Sequence, residues 1–221
     1  VEGISEAILL PEIAKILDRP LEKYAVELVN VDSVAFSPFV NLFSSQNVQT
    51  CFSKVAIVTD DDRCTKKSET NYINKDFDYD DVNSDISGKL LSGTPSERCN
   101  ELETSCRAVG INVFKATKTL EYALCCDENN IEYFIEAIKS EYSQLGPALE
   151  QKVNSLHDMN EKAACVWLFI RAREKCKGAI AQYISQIIKK QCEMRKRGEN
   201  IEKEFVIPDY LKEAVYCVTE R

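Results

Sequence analysis

Short apolar runs separated by amphipathic stretches fill roughly the first 125 residues, and from about residue 130 the apolar positions take up a helical period. The sharpest run is Val55-Ala56-Ile57-Val58, which leads into Thr59-Asp60. A continuous apolar run without alternation predicts a central parallel strand buried on both faces. Residues 25–31 and 111–114 predict two more strands. Between them the pattern predicts helices over 5–17 with Ser5 as N-cap, over 37–43, and over 96–109, which Gly110 terminates. Pro11 should kink or shorten the first of these, because proline removes a backbone donor and crowds the preceding turn.

Residues 65–95 are rich in Ser, Asn, Asp and Lys and predict a long surface loop or insertion, with the acidic run 76–85 solvated rather than binding metal. Further on, Ile131, Phe134, Ile135, Ile138, Tyr142 and Leu145 fall on one helical stripe, which Gly146-Pro147 breaks. Residues 163–170 and 178–188 supply more apolar helical surface. The fold class is therefore α/β, with a mainly parallel central sheet flanked by helices over residues 1–126 and an all-α helical domain over 127–221.

Composition fits this picture: of 221 residues 44% are apolar and 29% charged, as in ordinary soluble proteins, and no window holds the roughly 18 apolar residues of a membrane span. Val1-Glu2-Gly3 offers neither a basic region nor an apolar run of secretory type, so a cytoplasmic location is expected. The ten cysteines are scattered without a C-x-x-C pair and should be reduced. Only Cys125-Cys126 are adjacent and His157 is the sole histidine, which disfavours zinc and leaves carboxylates and lysines to do any chemistry. His157 itself lies in a polar stretch and should be a surface residue.

The net charge of −8 argues against nucleic acid as a partner, but its distribution does not. Residues 1–160 carry −12, whereas 171–197 hold nine Lys or Arg against Glu174 and Glu193, a local +7. A solvated helix face would explain the basic segment, and so would a surface that meets phosphates beside an acidic metal site.

Two acidic elements should end at one edge of the sheet. Glu2 stands at a strand terminus, Glu6 falls four residues on in the first helical turn, and Asp60-Asp61-Asp62 follows the buried strand. Asp61 should point away from its two neighbours if strand geometry persists. Convergent carboxylates repel one another unless cations neutralise them, and hard oxygen donors favour magnesium or manganese. A pair of such ions about 4 Å apart activates water and stabilises the leaving oxygen of a phosphodiester.

The segments V-E-G-I-S-E-A-I-L-L-P-E-I-A and A-I-V-T-D-D-D-R resemble the opening motif and the D-x-D strand of Toprim domains. Together with V-A-F-S-P-F-V-N-L-F, T-L-E-Y-A-L, K-G-A-I-A-Q and I-P-D-Y-L-K-E-A-V they resemble the OLD (overcoming lysogenization defect) family of nucleases. The resemblance implies two-metal cleavage of DNA with Mg2+ or Mn2+. Glu2, Glu6, Asp60 and Asp62 would be metal ligands, Glu121 a further candidate ligand, and Lys177 the catalytic lysine. Arg63 could contact phosphate, and Arg195, Lys196 and Arg197 suit sequence-independent contacts to the DNA backbone.

The family also implies a hydrophobic strand before the V-E-G segment and an N-terminal ABC-type ATPase, through which the full-length protein could form a homodimer. This chain has no G-x-x-x-x-G-K-[ST] loop, so any ATP site lies outside it. Two rivals remain. A haloacid-dehalogenase-type magnesium phosphatase also places D-x-D after an apolar strand, but it expects Thr or Val where Cys64 stands and gives Glu2 and Glu6 no role. A non-catalytic Toprim-like interaction module would have no reason to keep four clustered carboxylates.

Overall fold

A computed structural model describes residues 1–43, 54–68 and 70–220. Among the described residues the sheet consists of two parallel strands, β1 (Ala56–Asp60) and β2 (Asn112–Ala116), in register from Ala56 opposite Asn112 to Asp60 opposite Ala116. Parallel neighbours need a long crossover. Here it is made by α3 (Ser84–Ser92) and α4 (Glu97–Ala108), the latter capped by the Ser96 hydroxyl on the Cys99 amide. Gly110, at φ +78, turns the chain from α4 into β2, a conformation that costs glycine little.

β1 is buried on both faces as its unbroken apolar run predicts. Val58 enters the main core, while Ile57 joins a smaller cluster with Val40 of α2 (Ser37–Phe43), Leu102 and Cys106 of α4, and Ile111. The expected strand over 25–31 is not one. The chain turns through a 3-10 helix at Leu21–Tyr24, and Ala25 takes a left-handed conformation. Val1 donates to the Val29 carbonyl at 2.8 Å and accepts from the Val31 amide at 3.0 Å. Those bonds have the parallel pattern but involve one residue, too few for a ladder.

α1 (Ile4–Ile16) begins one residue earlier than expected, with Gly3 rather than Ser5 at the N-cap, and runs through Pro11. Proline forfeits one backbone bond there. Leu9, Leu10, Ile13, Ala14 and Ile16 are all buried, and packing along α9 outweighs that local loss. The expected loop at 65–95 also needs correction, because it contains α3 and sends Ile73, Tyr79, Val82, Ile86 and Leu90 into the main core. Most of its described polar residues are exposed around this sparse apolar set, which a composition average hides.

The remaining helices are α5 (Leu120–Cys125), α6 (Glu128–Glu141), α7 (Leu145–Ser155), α8 (Met159–Ala172), α9 (Lys177–Arg197) and α10 (Asp209–Thr219). Every residue of α8 from Ala163 to Ile170 is buried, and a helix apolar on all sides belongs at the centre of its layer. α3, α5, α6 and α7 surround it. α9 lies against α1 and α6, and Gly198, at φ +69, ends it in a left-handed cap. One hydrophobic core runs from α1 and β1 through to α10, across residue 126. His157 is exposed, and the described cysteines form no disulfide.

Candidate functional site

The carboxyl end of β1 opens on one small cavity. Glu2, Glu6, Asp60, Glu121 and Lys177 line it together with Gly3, Ile4 and Ser5, in a volume of about 100 Å3. That is room for several water-sized particles but far below the several hundred Å3 of an ordinary small-molecule pocket. It suits ions and water. A larger open groove of about 640 Å3 runs along α4 beside Lys66, Glu97 and Thr104, yet no comparable set of carboxylates converges there.

Each side chain is placed by a short local device. Asp60 ends β1, and its Oδ1 accepts from the Leu120 amide at 2.9 Å, at the start of α5. Glu2 lies across the end of the same strand, where Oε2 accepts from the Asp60 amide at 3.3 Å and from the Thr59 hydroxyl. Glu6 sits in the first turn of α1. Glu121, in the first turn of α5, accepts from the Ser5 hydroxyl at 3.2 Å. Lys177 opens α9, with Nζ 3.9 Å from Glu121 Oε1.

Crowding of like charges shows in the protonation equilibria. Burial pushes the Glu6 carboxyl up to about 7, with Glu121 and Glu2 adding repulsion and Lys177 opposing it. Asp60 is raised well above the ordinary carboxylate range, first by burial and then by Glu121, Glu6, Glu2 and Asp62. Lys177 is raised chiefly by Glu121, against its own desolvation, and so stays a cation at neutral pH. A buried site with this excess of negative charge is stabilised by added cations. Oxygen donors of this kind fit magnesium or manganese. Among the described residues, no three of these side chains yet stand in a finished coordination arrangement.

The structure treats the Asp60-Asp61-Asp62 run unequally. Asp61 turns away from the cavity, as strand alternation predicts, into a buried network. Its carboxylate accepts from the Lys118 amide at 2.9 Å and forms a 2.6 Å ion pair with Arg63. Lys118 in turn donates from Nζ to the Arg63 carbonyl at 2.7 Å and lies over the Trp167 ring. Arg63 also donates to the Leu90 carbonyl, so its guanidinium is held inside the fold rather than offered to a phosphate.

Asp62 breaks the alternation. Its φ of +50 is left-handed, as are those of Cys64 and Lys118 nearby, and non-glycine residues adopt such angles at a cost of about 1 kcal/mol or more. The Asp62 side chain is outside the cavity lining, at 31% exposure, and is tied to Arg98 Nη2 at 2.6 Å. Arg98, in the first turn of α4, also lies 3.8 Å from Glu2 and 3.2 Å from the Asp60 carbonyl.

Sequence reasoning missed Arg98, Ser5 and Thr59 as partners of the cluster. It also missed Tyr210, whose hydroxyl is buried without a partner and whose ionisation is opposed by burial, Asp60, Glu6 and Glu121. Only the placement of Tyr210 in the I-P-D-Y-L-K-E-A-V segment pointed toward it. Arg195, Lys196 and Arg197 lie at the far end of α9, about 27 Å from Lys177 at the rise of a helix. Arg195 donates to the Ile16 carbonyl and pairs with Glu204, and Arg197 pairs with Glu199.

Residues 1–62 match the family model described as "Overcoming lysogenization defect protein-like, TOPRIM domain". No protein of curated function matches the chain. Two solved structures of the C-terminal region of the Xanthomonas campestris pv. campestris OLD protein share the fold across 100% of this chain. One, phased with platinum, aligns at TM-score 0.57 with 19% identity over 90% of its own length. The other, phased with mercury, aligns at 0.56 with 20% identity over 92%. The expected fold class is the observed one: residues 1–62 carry an OLD-like TOPRIM match, and the chain as a whole has the TOPRIM-plus-helical fold of the OLD C-terminal region.

Proposed function

We propose that the chain is a metal-dependent nuclease module that cleaves DNA phosphodiester bonds with two Mg2+ or Mn2+ ions. The observation that carries this reading is the single cavity lined by Glu2, Glu6, Asp60 and Glu121 with Lys177 at its wall. Those four carboxylates, with Asp62 at the rim, would hold the ions. When bound, such ions lower the pKa of water and neutralise the leaving oxygen of an in-line displacement.

The residues themselves have distinct tasks. The Leu120 amide fixes Asp60, and Thr59 and the Asp60 amide fix Glu2, so the ligand oxygens are oriented before any ion arrives. Lys177 remains protonated and places its charge where negative charge builds on the phosphate. The cavity is too small for a nucleobase, so the DNA backbone lies across its mouth. A haloacid-dehalogenase-type phosphatase gives Glu2 and Glu6 no role, whereas here both share the cavity with Asp60. The family resemblance adds an ABC-type ATPase portion as the partner in the full-length protein and homodimerisation through it.

Incubation with supercoiled plasmid in Mg2+, Mn2+ or EDTA tests the reading. Metal-dependent nicking or linearisation that Asp60→Ala and Lys177→Ala abolish is the expected result. Hydrolysis of small phosphomonoesters without plasmid cleavage would transfer the assignment to the phosphatase, and inactivity in both assays to an interaction module.

A further inference from the structure

Arg98 touches more than one of the expected metal ligands at once. Nη2 is 2.6 Å from Asp62 Oδ2 and 3.8 Å from Glu2 Oε2, and it donates to the Asp60 carbonyl at 3.2 Å. It therefore stands where the ends of the E-x-x-x-E and D-x-D segments come together. Glu2 is otherwise bound to Thr59 and to the Asp60 amide, but Asp62 has turned to Arg98 and does not line the cavity. Nη2 thus carries the guanidinium's contacts to the cluster through two hydrogen bonds, to Asp62 and to the Asp60 carbonyl. Arg98 Nη1 is buried with no acceptor, a state that is costly for a guanidinium.

We infer that Arg98 is a resident counter-cation that competes with a divalent ion for Glu2 and Asp62, so that filling this side of the site requires Asp62 to exchange Arg98 for the metal. The inference rests on the proposed metal-dependent reading of the cavity. A guanidinium cannot share a carboxylate oxygen lone pair with a metal at bonding distance, and two cations at one pair of oxygens repel. Asp62 is well suited to the exchange: its main chain is fixed by the bond from its amide to the Lys118 carbonyl, while its side chain is one-third exposed and can change rotamer. Once released, Arg98 remains beside the cavity mouth as a donor for a phosphate oxygen.

Calorimetric titration with Mn2+ in the absence of nucleic acid tests this on the wild type, Arg98→Met and Arg98→Lys. Removing the competing charge should tighten Mn2+ binding about three- to tenfold in Arg98→Met. Arg98→Lys, which keeps the charge, should stay within about twofold of wild type. In EDTA, Arg98→Met should melt lower than wild type, and saturating Mn2+ should close that gap. Unchanged or weaker Mn2+ binding by Arg98→Met, with the wild type still binding, overturns the competition and leaves the metal site standing. Absence of Mn2+ binding by both proteins overturns the metal site and this inference with it.

Discussion

Lys177 Nζ stands 3.9 Å from Glu121 Oε1, which joins the first turn of α9 to the first turn of α5 across the cavity. Glu121 is the main reason that Lys177 holds its proton firmly, so the lysine acts as a fixed positive charge and not as a base. Lys177→Ala should lower plasmid cleavage by about 10^2- to 10^3-fold while leaving Mn2+ affinity within a few-fold. Loss of Mn2+ binding together with a lowered Tm would instead make the lysine a structural element.

Asp60 is buried among Glu121, Glu6, Glu2 and Asp62, an arrangement that serves metal binding at the expense of the metal-free fold. Asparagine keeps the acceptor for the Leu120 amide and removes the charge. Urea unfolding at pH 8 in EDTA should show Asp60→Asn more stable than wild type by about 1–2 kcal/mol, with cleavage abolished. A less stable variant would contradict the repulsion.

Glu6 gives the cluster a pH signature. Its carboxyl titrates near 7 in the fold against 4.5 in the unfolded chain, so the folded protein binds more protons between those values. Stability therefore falls as pH rises from about 4.5 to 7, by about 3 kcal/mol at most, and the loss is complete above that window. In EDTA the difference in unfolding free energy between wild type and Glu6→Gln should follow this curve, and Mg2+ should flatten it. Parallel curves for the two proteins would remove Glu6 from the charged cluster.

Asp61 has a different task from its neighbours. Its carboxylate neutralises Arg63 and holds the Lys118 amide, and both ion-pair side chains are largely buried. Asp61→Ala leaves a guanidinium without its partner and should cost about 3–5 kcal/mol in chemical denaturation. If the protein keeps its stability yet loses cleavage, Asp61 belongs to the chemistry.

The basic end of α9 lies about 27 Å from Lys177, the length of roughly eight base pairs of B-DNA. Lys196 and Arg197 are exposed there. Replacing both with glutamine should weaken DNA binding evenly across sequences and reduce the log–log salt slope by about 2. An unchanged slope would place the DNA path elsewhere.

The sequence alone determined the elements whose local signals agree with their packing. The apolar run 55–58 led into β1 because nothing in it favours water on either face, and Ser96 and Gly110 bounded α4 because capping is a property of a few adjacent residues. The resemblance likewise named four of the cavity's carboxylates, Glu2, Glu6, Asp60 and Glu121, and its lysine. What the sequence could not determine depends on groups far apart in the chain. Whether residues 25–31 form a strand depends on the neighbour available to them, and Pro11 is tolerated because α9 covers the helix that contains it. The D-x-D spacing implies two like-facing aspartates only while the backbone stays extended, and the left-handed turn at Asp62 ends that. Arg98 reached Asp62 because the crossover through α3 and α4 returns the chain to the same strand end, a long-range placement set by the folded topology.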